Sequence, residues 1–194
     1  MLVLCGKSAA GKNFLLNELI NQGMKHVITY TTRPMRDGEK DGVDYHFISD
    51  WLFEKLRNDN FFAETSEYRV ASKEVWRYGS AVNDYENSNN SVIILNPDGI
   101  KQIKKKNISI CAFYLDATKN TRLYRLSQRG DDPDEVNRRL EADDKDFKDI
   151  KKYVQYVVFT DKGIDPKCIA KEIIDVYRLY FDDLEKDNKN GTVE

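Results

Sequence analysis

A glycine-rich turn near the start of the chain restricts its fold more than any other feature. Gly6-Lys7-Ser8-Ala9-Ala10-Gly11-Lys12 follows an apolar stretch at residues 1–5 and precedes a helix-like stretch at residues 13–22. Where a strand runs through such a turn into a helix, backbone N–H groups and the helix N-terminus surround phosphate oxygens. We therefore predict a phosphate-binding P-loop, although a structural turn carrying a surface lysine would share the pattern.

The predicted loop assigns a nucleotide and a metal ion to this end of the chain. Lys12 can reach the β- and γ-phosphates of ATP, and the residue after that lysine usually supplies a hydroxyl to magnesium. Here that residue is Asn13, whose amide oxygen is also a hard ligand for Mg²⁺. Asn13 either binds the metal or only supports the first helical turn. The predicted nucleotide-binding residues are Gly6, Ser8, Ala9, Ala10, Gly11, Lys12 and Asn13.

Apolar strand-like stretches alternate with helix-like stretches along the chain. We predict strands at residues 1–5, 27–30, 92–95, 108–115 and 154–159, and an extended segment at 61–70. Helices are predicted at residues 13–22 and 169–184. Three more are predicted to begin after Ser49, at Asn96-Pro97 and at Asp132-Pro133. A further helix follows the strand at 108–115 and ends at about residue 128. This alternation predicts an α/β fold of the P-loop NTPase type, with a mostly parallel sheet flanked by helices.

Composition narrows the class of partners. The 194 residues carry a formal charge of -2, which gives no general reason to expect nucleic acid or a membrane as a partner. Cys5 and Cys111 lie in apolar stretches and Cys168 lies far from both, so we expect reduced thiols and a cytoplasmic protein.

A second group of cations follows the predicted strand at residues 27–30. Arg33 and Arg36 lie in a turn, and Tyr45 follows them. Planar guanidinium groups together with a phenol suit a second phosphate monoester. The alternative is an arginine pair neutralised by its acidic neighbours Asp37, Glu39 and Asp41.

A third group of arginines would lie along one face of a helix. Arg122, Arg125 and Arg129 have helical spacing, and Arg138 and Arg139 follow after an acidic turn. Such a cluster is suited to neutralise charge during phosphoryl transfer. The alternative is a solvated face paired with Asp131, Asp132 and Asp134.

Taken in order, the P-loop, the stretch TTRPMRDGEKDGVDYHF and Tyr78-Gly79-Ser80 resemble the guanylate kinase family over about residues 1–180. The resemblance implies a single domain at residues 1–184 and a polar tail at 185–194. Within that domain it implies a core (1–32 and 90–184), a small subdomain that binds the nucleoside monophosphate (NMP, about 33–89), and a helical lid (about 122–140).

The resemblance also implies roles for individual residues. Arg33, Arg36, Tyr45 and Ser80 would bind the phosphate of the acceptor, with Tyr78 beside them, and Glu64 and Thr29 would contact a guanine base. The lid arginines would be Arg125, Arg129 and Arg139, which with Lys12 form the expected catalytic set. ATP would be the donor, with Mg²⁺, and GMP or dGMP the acceptor, in a monomer or homodimer.

Three positions depart from the family pattern: Asn13, Ile94 and Asn96. The family usually has an acid-hydrophobe-acid triplet where this chain has Ile94-Leu95-Asn96, so Asn96 either contacts the substrate or caps the following helix. Two other functions therefore stay open at this point. One is a kinase for a different nucleotide, and the other is a non-catalytic guanylate-kinase-like binding module.

Overall fold

A computed structural model describes residues 1–69, 74–86, 88–128, 133–161, 163 and 165–190. Its strands are β1 Leu2–Gly6, β2 Lys25–His26, β3 Tyr30–Thr31, β4 His46–Phe47, β5 Phe62–Arg69, β6 Val75–Ala81, β7 Ser91–Ile94, β8 Cys111–Asp116 and β9 Tyr156–Phe159. Its α-helices are α1 Lys12–Asn21, α2 Asp50–Asn58, α3 Asn83–Glu86, α4 Pro97–Lys105, α5 Lys119–Gln128, α6 Pro133–Asp146 and α7 Pro166–Asn190, with a 3₁₀ turn at Ile150–Lys152.

The larger sheet has five parallel strands in the order β2-β7-β1-β8-β9. Strand β1 is buried along its whole length because both faces of the sheet are covered, as its unbroken apolar run requires. Leu2 and Leu4 face a cluster that includes α1 and α7, while Val3 and Cys5 face a cluster that includes α4. This confirms the predicted α/β fold with a mostly parallel sheet flanked by helices.

The smaller sheet has four strands in the order β4-β3-β6-β5. Strands β5 and β6 pair antiparallel, and that register places Glu64 opposite Ser80. Helix α4 holds β5, because the Gln102 side chain accepts from the backbone N–H of Thr65 at 3.1 Å and donates to its carbonyl at 2.8 Å. The smaller sheet is thereby attached to a helix of the larger one.

The predicted strand at residues 27–30 is wrong. The chain leaves the larger sheet after Val27, whose N–H still donates to the Val92 carbonyl, and joins the smaller sheet at Tyr30–Thr31. The continuous sequence of residues 27–30 gives no sign that its two ends pair with different sheets. Strand β6 was not predicted, and the last helix continues beyond residue 184 to Asn190.

Candidate active site

The predicted P-loop connects β1 to α1. Strand β1 ends at Gly6 and α1 begins at Lys12, with Gly11 as the N-cap in the left-handed region at φ 99°. The Lys12 ammonium lies over the loop and donates to the carbonyls of Gly6 at 2.6 Å and Lys7 at 3.1 Å. The lysine is therefore beside the backbone that would surround phosphate.

A cavity of about 650 Å³ adjoins the P-loop. Its walls come from the loop, from α1 and α5, and from the segment after β9. They include Asn13, Phe14, Tyr124, Arg125, Thr160 and Asp161. Phe14 and Tyr124 are exposed. The volume is within the range of small-molecule sites and suffices for a nucleoside.

Arg125 is the predicted lid arginine that the structure places at the P-loop. Its guanidinium donates to the carbonyl of Ala9 at 3.1 Å and to that of Thr160 at 2.5 Å. Thr160 in turn donates through its hydroxyl to the Ala10 carbonyl at 2.8 Å. Arg139 is half-buried on α6, and Arg129 lies outside the described residues.

Arg33 lies two residues after β3 and is 4 % exposed. Its guanidinium forms an ion pair with Glu39 at 2.7 Å and donates to the Pro34 carbonyl at 2.8 Å. Glu39 also accepts from the backbone N–H of Arg36 at 2.8 Å. The hydrogen bond from Arg33 holds the pKa of Glu39 below its ordinary value. Glu39 is therefore the acidic neighbour that neutralises Arg33, as the alternative interpretation expects.

Aromatic rings surround the Arg33 guanidinium. It lies 5.3 Å from the centroid of the Tyr45 ring, which packs edge-on against Tyr78 at 6.0 Å. Tyr68 packs edge-on against the other side of Tyr78 at 5.6 Å. The structure thus brings together Arg33 and Tyr45, which the resemblance assigned to the acceptor phosphate, and Tyr78, which was predicted to bind the substrate.

Glu64 is a buried carboxylate at the base of the smaller sheet. It accepts from the Ser80 hydroxyl at 2.9 Å, and this hydroxyl also shares a 2.8 Å hydrogen bond with Tyr85. Burial raises the pKa of Glu64 to about 7, against the hydrogen bond from Ser80. The observed contacts of Ser80 are therefore with the predicted base-binding group and not with the arginines. Thr29 is half-buried, and its carbonyl accepts from the N–H of His46 at 2.9 Å.

Asn96 caps α4, as one of the two interpretations of its sequence position expects. Its side-chain oxygen accepts from the Gly99 N–H at 2.7 Å. Its amide group donates to the Tyr68 hydroxyl at 2.5 Å. Both ends of the Asn96 amide are therefore engaged by protein groups.

Several residues at the site were not predicted from the sequence. Thr160 and Asp161 follow β9 directly, and polar residues at the carboxyl ends of parallel strands are a signal that could have found them. Asp143 and Asp144 of α6 also reach the P-loop, but they lie in a generally charged helix where no local pattern distinguishes them.

The described residues offer neither a membrane-spanning helix nor a cluster of metal-ligating side chains. None of the helices there is long and apolar enough to cross a membrane. Over the same described ranges, histidine, cysteine, aspartate and glutamate form no cluster of three that could hold a metal ion.

The chain is similar in sequence to known proteins over most of its length. The family model described as guanylate kinase matches residues 1–173. A guanylate kinase of Sulfurimonas denitrificans is 33% identical over 188 residues, covering 92% of this chain and 88% of the relative. One from Nitratidesulfovibrio vulgaris is 30% identical over 169 residues, covering 83% and 79%.

The fold has a counterpart among solved structures. The crystal structure of guanylate kinase from Anaplasma phagocytophilum superposes with a TM-score of 0.66 at 21% identity, covering 93% of this chain and 85% of that one. Because the family model matches residues 1–173, the chain belongs to the guanylate kinase family and is a nucleoside monophosphate kinase.

Proposed function

We propose that the chain transfers the γ-phosphoryl group of ATP to GMP, giving ADP and GDP, with dGMP as a close alternative acceptor. The observation that carries this proposal is a P-loop that retains Lys12 in the same chain as the buried carboxylate Glu64. A P-loop with its lysine is required to bind a triphosphate donor. A buried carboxylate suits a base that offers two neighbouring N–H donors.

The donor would bind along the P-loop with its base in the adjoining cavity. The backbone N–H groups of Ser8, Ala9 and Gly11 are the expected phosphate donors, with Gly6 at the start of the loop. The N–H of Ala10 donates to the Lys7 carbonyl at 3.1 Å, so Ala10 would act by shaping the loop. Lys12 and Arg125 supply positive charge from two sides. Arg129 and Arg139 are proposed to complete that set.

Magnesium would bind between the donor phosphates and the protein. Mg²⁺ keeps several waters and takes few protein ligands, so the lack of a three-residue cluster within the described ranges does not oppose it. Asn13 is exposed and lines the cavity, and its amide oxygen could supply one ligand. When bound, the ion would help to neutralise the charge of the phosphates.

The acceptor would bind between the two sheets. Arg33, Arg36, Tyr45 and Tyr78 are proposed to hold its phosphate, in which case Arg33 exchanges Glu39 for that phosphate. Glu64 would accept from N1–H and the exocyclic amine of guanine, with Ser80 and Thr29 beside it. Asn96 would act through the helix it caps, since both ends of its amide are engaged.

The chemistry needs no general base. The acceptor phosphate is already an anion, so one of its oxygens attacks the γ-phosphorus while the bond from that phosphorus to the β–γ bridging oxygen breaks. Catalysis is then mainly positioning and neutralisation of charge. Lys12 and Arg125, which both donate to carbonyls of the loop, would carry out the neutralisation.

The organisation implied by the resemblance forms part of the same proposal. The core comprises residues 1–32 and 90–184, the NMP-binding subdomain about 33–89 and the lid about 122–140. A cytoplasmic location is supported by the free, buried thiols of Cys5 and Cys111. Neither alternative function is favoured, because Lys12 is retained and the relatives are guanylate kinases.

The test is a coupled ADP assay with ATP and a panel of nucleoside monophosphates, with and without magnesium. We expect GMP to be the preferred acceptor. Lys12→Ala should lower turnover by at least a hundredfold without unfolding the protein, because it removes the ammonium group that donates to the carbonyls of Gly6 and Lys7. The exposed Lys105→Ala is the matched control. Near-normal turnover of the Lys12→Ala variant would show that the P-loop does not take part in the reaction.

A further inference from the structure

Two neighbouring aspartates of helix α6 are bound to the first half of the P-loop. Asp143 accepts from the backbone N–H of Ser8 at 2.8 Å, and Asp144 accepts from the Lys7 ammonium at 2.5 Å. Asp143 and Asp144 are more than a hundred residues away from the loop in sequence, so this is a tertiary contact between the last turns of α6 and the P-loop.

The Asp143 side chain is only 12% exposed, which is unusual for a carboxylate because burial disfavours its charge. Its second partner is Arg122 of α5, at 3.5 Å, whose own side chain is 5% exposed. The Nε of Arg122 has no hydrogen-bond partner among the described residues. A buried ion pair with an unsatisfied donor contributes little to stability, so the arrangement is poorly explained by packing alone.

The contacts of Asp143 compete with those expected of a bound nucleotide. A backbone N–H has a single proton, so Ser8 cannot donate fully to a phosphate oxygen while it donates to Asp143. Negative charge on Asp143 and Asp144 also repels a triphosphate that approaches the same loop. Lys7, paired with Asp144, is likewise withdrawn from the phosphates.

We propose that Asp143 and Asp144 are an internal anion that competes with the donor's phosphates for the P-loop and so sets donor affinity. When a triphosphate binds, the carboxylates leave the loop, and the Ser8 N–H, Lys7 and Arg122 become able to face the phosphates. The fraction of molecules with the loop uncovered then limits the apparent affinity. This inference rests on the proposed function, because it requires the donor to bind at the P-loop.

The experiment measures binding of a non-hydrolysable ATP analogue and of inorganic tripolyphosphate to the full chain by calorimetry. Asp143→Asn keeps an acceptor for the Ser8 N–H and removes the charge. We expect it to bind both probes about three- to tenfold more tightly, with a gain that shrinks as salt is added. Affinity for GMP should not change. Asp183→Asn, an exposed aspartate of α7 paired with Lys186, is the matched control.

Equal or weaker binding of both probes by Asp143→Asn would overturn the proposal, since that is the result of a merely structural role. If that variant does not fold, Asp144→Asn decides, because it leaves the buried pair intact and should tighten binding about two- to threefold by releasing Lys7. Failure of the parent protein to bind either probe would instead count against the proposed function.

Discussion

At the scale of single residues, Glu64 shows how the fold determines what a side chain can do. Its carboxylate is buried beside Ser80, and burial raises its pKa to about 7. The ionised form accepts two hydrogen bonds from a guanine edge, whereas the protonated form keeps one oxygen occupied by a proton. If Glu64 binds the guanine base as proposed, binding of GMP is linked to the loss of this proton near neutral pH.

We predict that the KM for GMP rises as the pH falls through 7. With a pKa of about 7, the ionised fraction drops roughly tenfold between pH 8 and pH 6, so the KM should rise by about the same factor. Steady-state kinetics over this range would measure it, with the KM for ATP as an internal control. The phosphate of GMP also titrates near pH 6. The Glu64→Gln variant keeps this contribution to the pH dependence of the KM and so serves as the control. An equally steep profile in Glu64→Gln would show that Glu64 is not the titrating group.

At the scale of elements, local signals identified some parts of the fold and missed others. The start of α4 was predictable because Asn96 and Pro97 are adjacent in sequence, and the observed cap is a contact between near neighbours. Strand β6 and the break after Val27 were not predictable, because both depend on pairing between distant segments. For the same reason the P-loop was found from its sequence, whereas its contact with Asp143 was not.

The first turn of α4 also explains a glycine at the site. A Cβ at Gly99 would lie 2.9 Å from Glu64 Oε2 and 3.3 Å from Asn96 Oδ1. The helix can therefore approach the buried carboxylate closely because this position has no side chain. We predict that Gly99→Ala displaces the Glu64 carboxylate.

The expected result for Gly99→Ala is a selective loss of acceptor binding. Loss of well-formed hydrogen bonds to a charged group costs about 1.5–3 kcal/mol, so the KM for GMP should rise roughly tenfold or more. The KM for ATP should stay within about twofold, since the P-loop is on another element. Lys104→Ala, on the same helix, is the control. An unchanged KM for GMP would mean that Glu64 does not contact the acceptor or tolerates the displacement.

At the scale of the whole molecule, three parts carry the groups proposed to bind the two substrates. The core sheet presents the P-loop, helices α5 and α6 approach it with Arg125 and Asp143, and the smaller sheet presents Arg33 and Glu64. Phosphoryl transfer requires donor and acceptor phosphates in contact and in line. On the proposed function, transfer would depend on the relative position of the two sheets, and the groups that join the sheets should affect the acceptor more than the donor.

Tyr68 is one such group, because its hydroxyl accepts from the Asn96 amide at the end of β7 and so joins the smaller sheet to the core. We predict that Tyr68→Phe loosens this connection while its ring still packs against Tyr78. The lost hydrogen bond should lower the free energy of unfolding by about 1 kcal/mol, and with it the Tm by a few degrees. The KM for GMP should rise about two- to fivefold while that for ATP stays constant, because the acceptor site spans the joint and the donor site does not. Tyr156→Phe, whose ring stacks on Phe113 in the core, controls for the loss of a phenolic hydroxyl elsewhere. If Tyr68→Phe raised both KM values equally, the Tyr68–Asn96 contact would be a general support of the fold and not a joint between the two substrate sites.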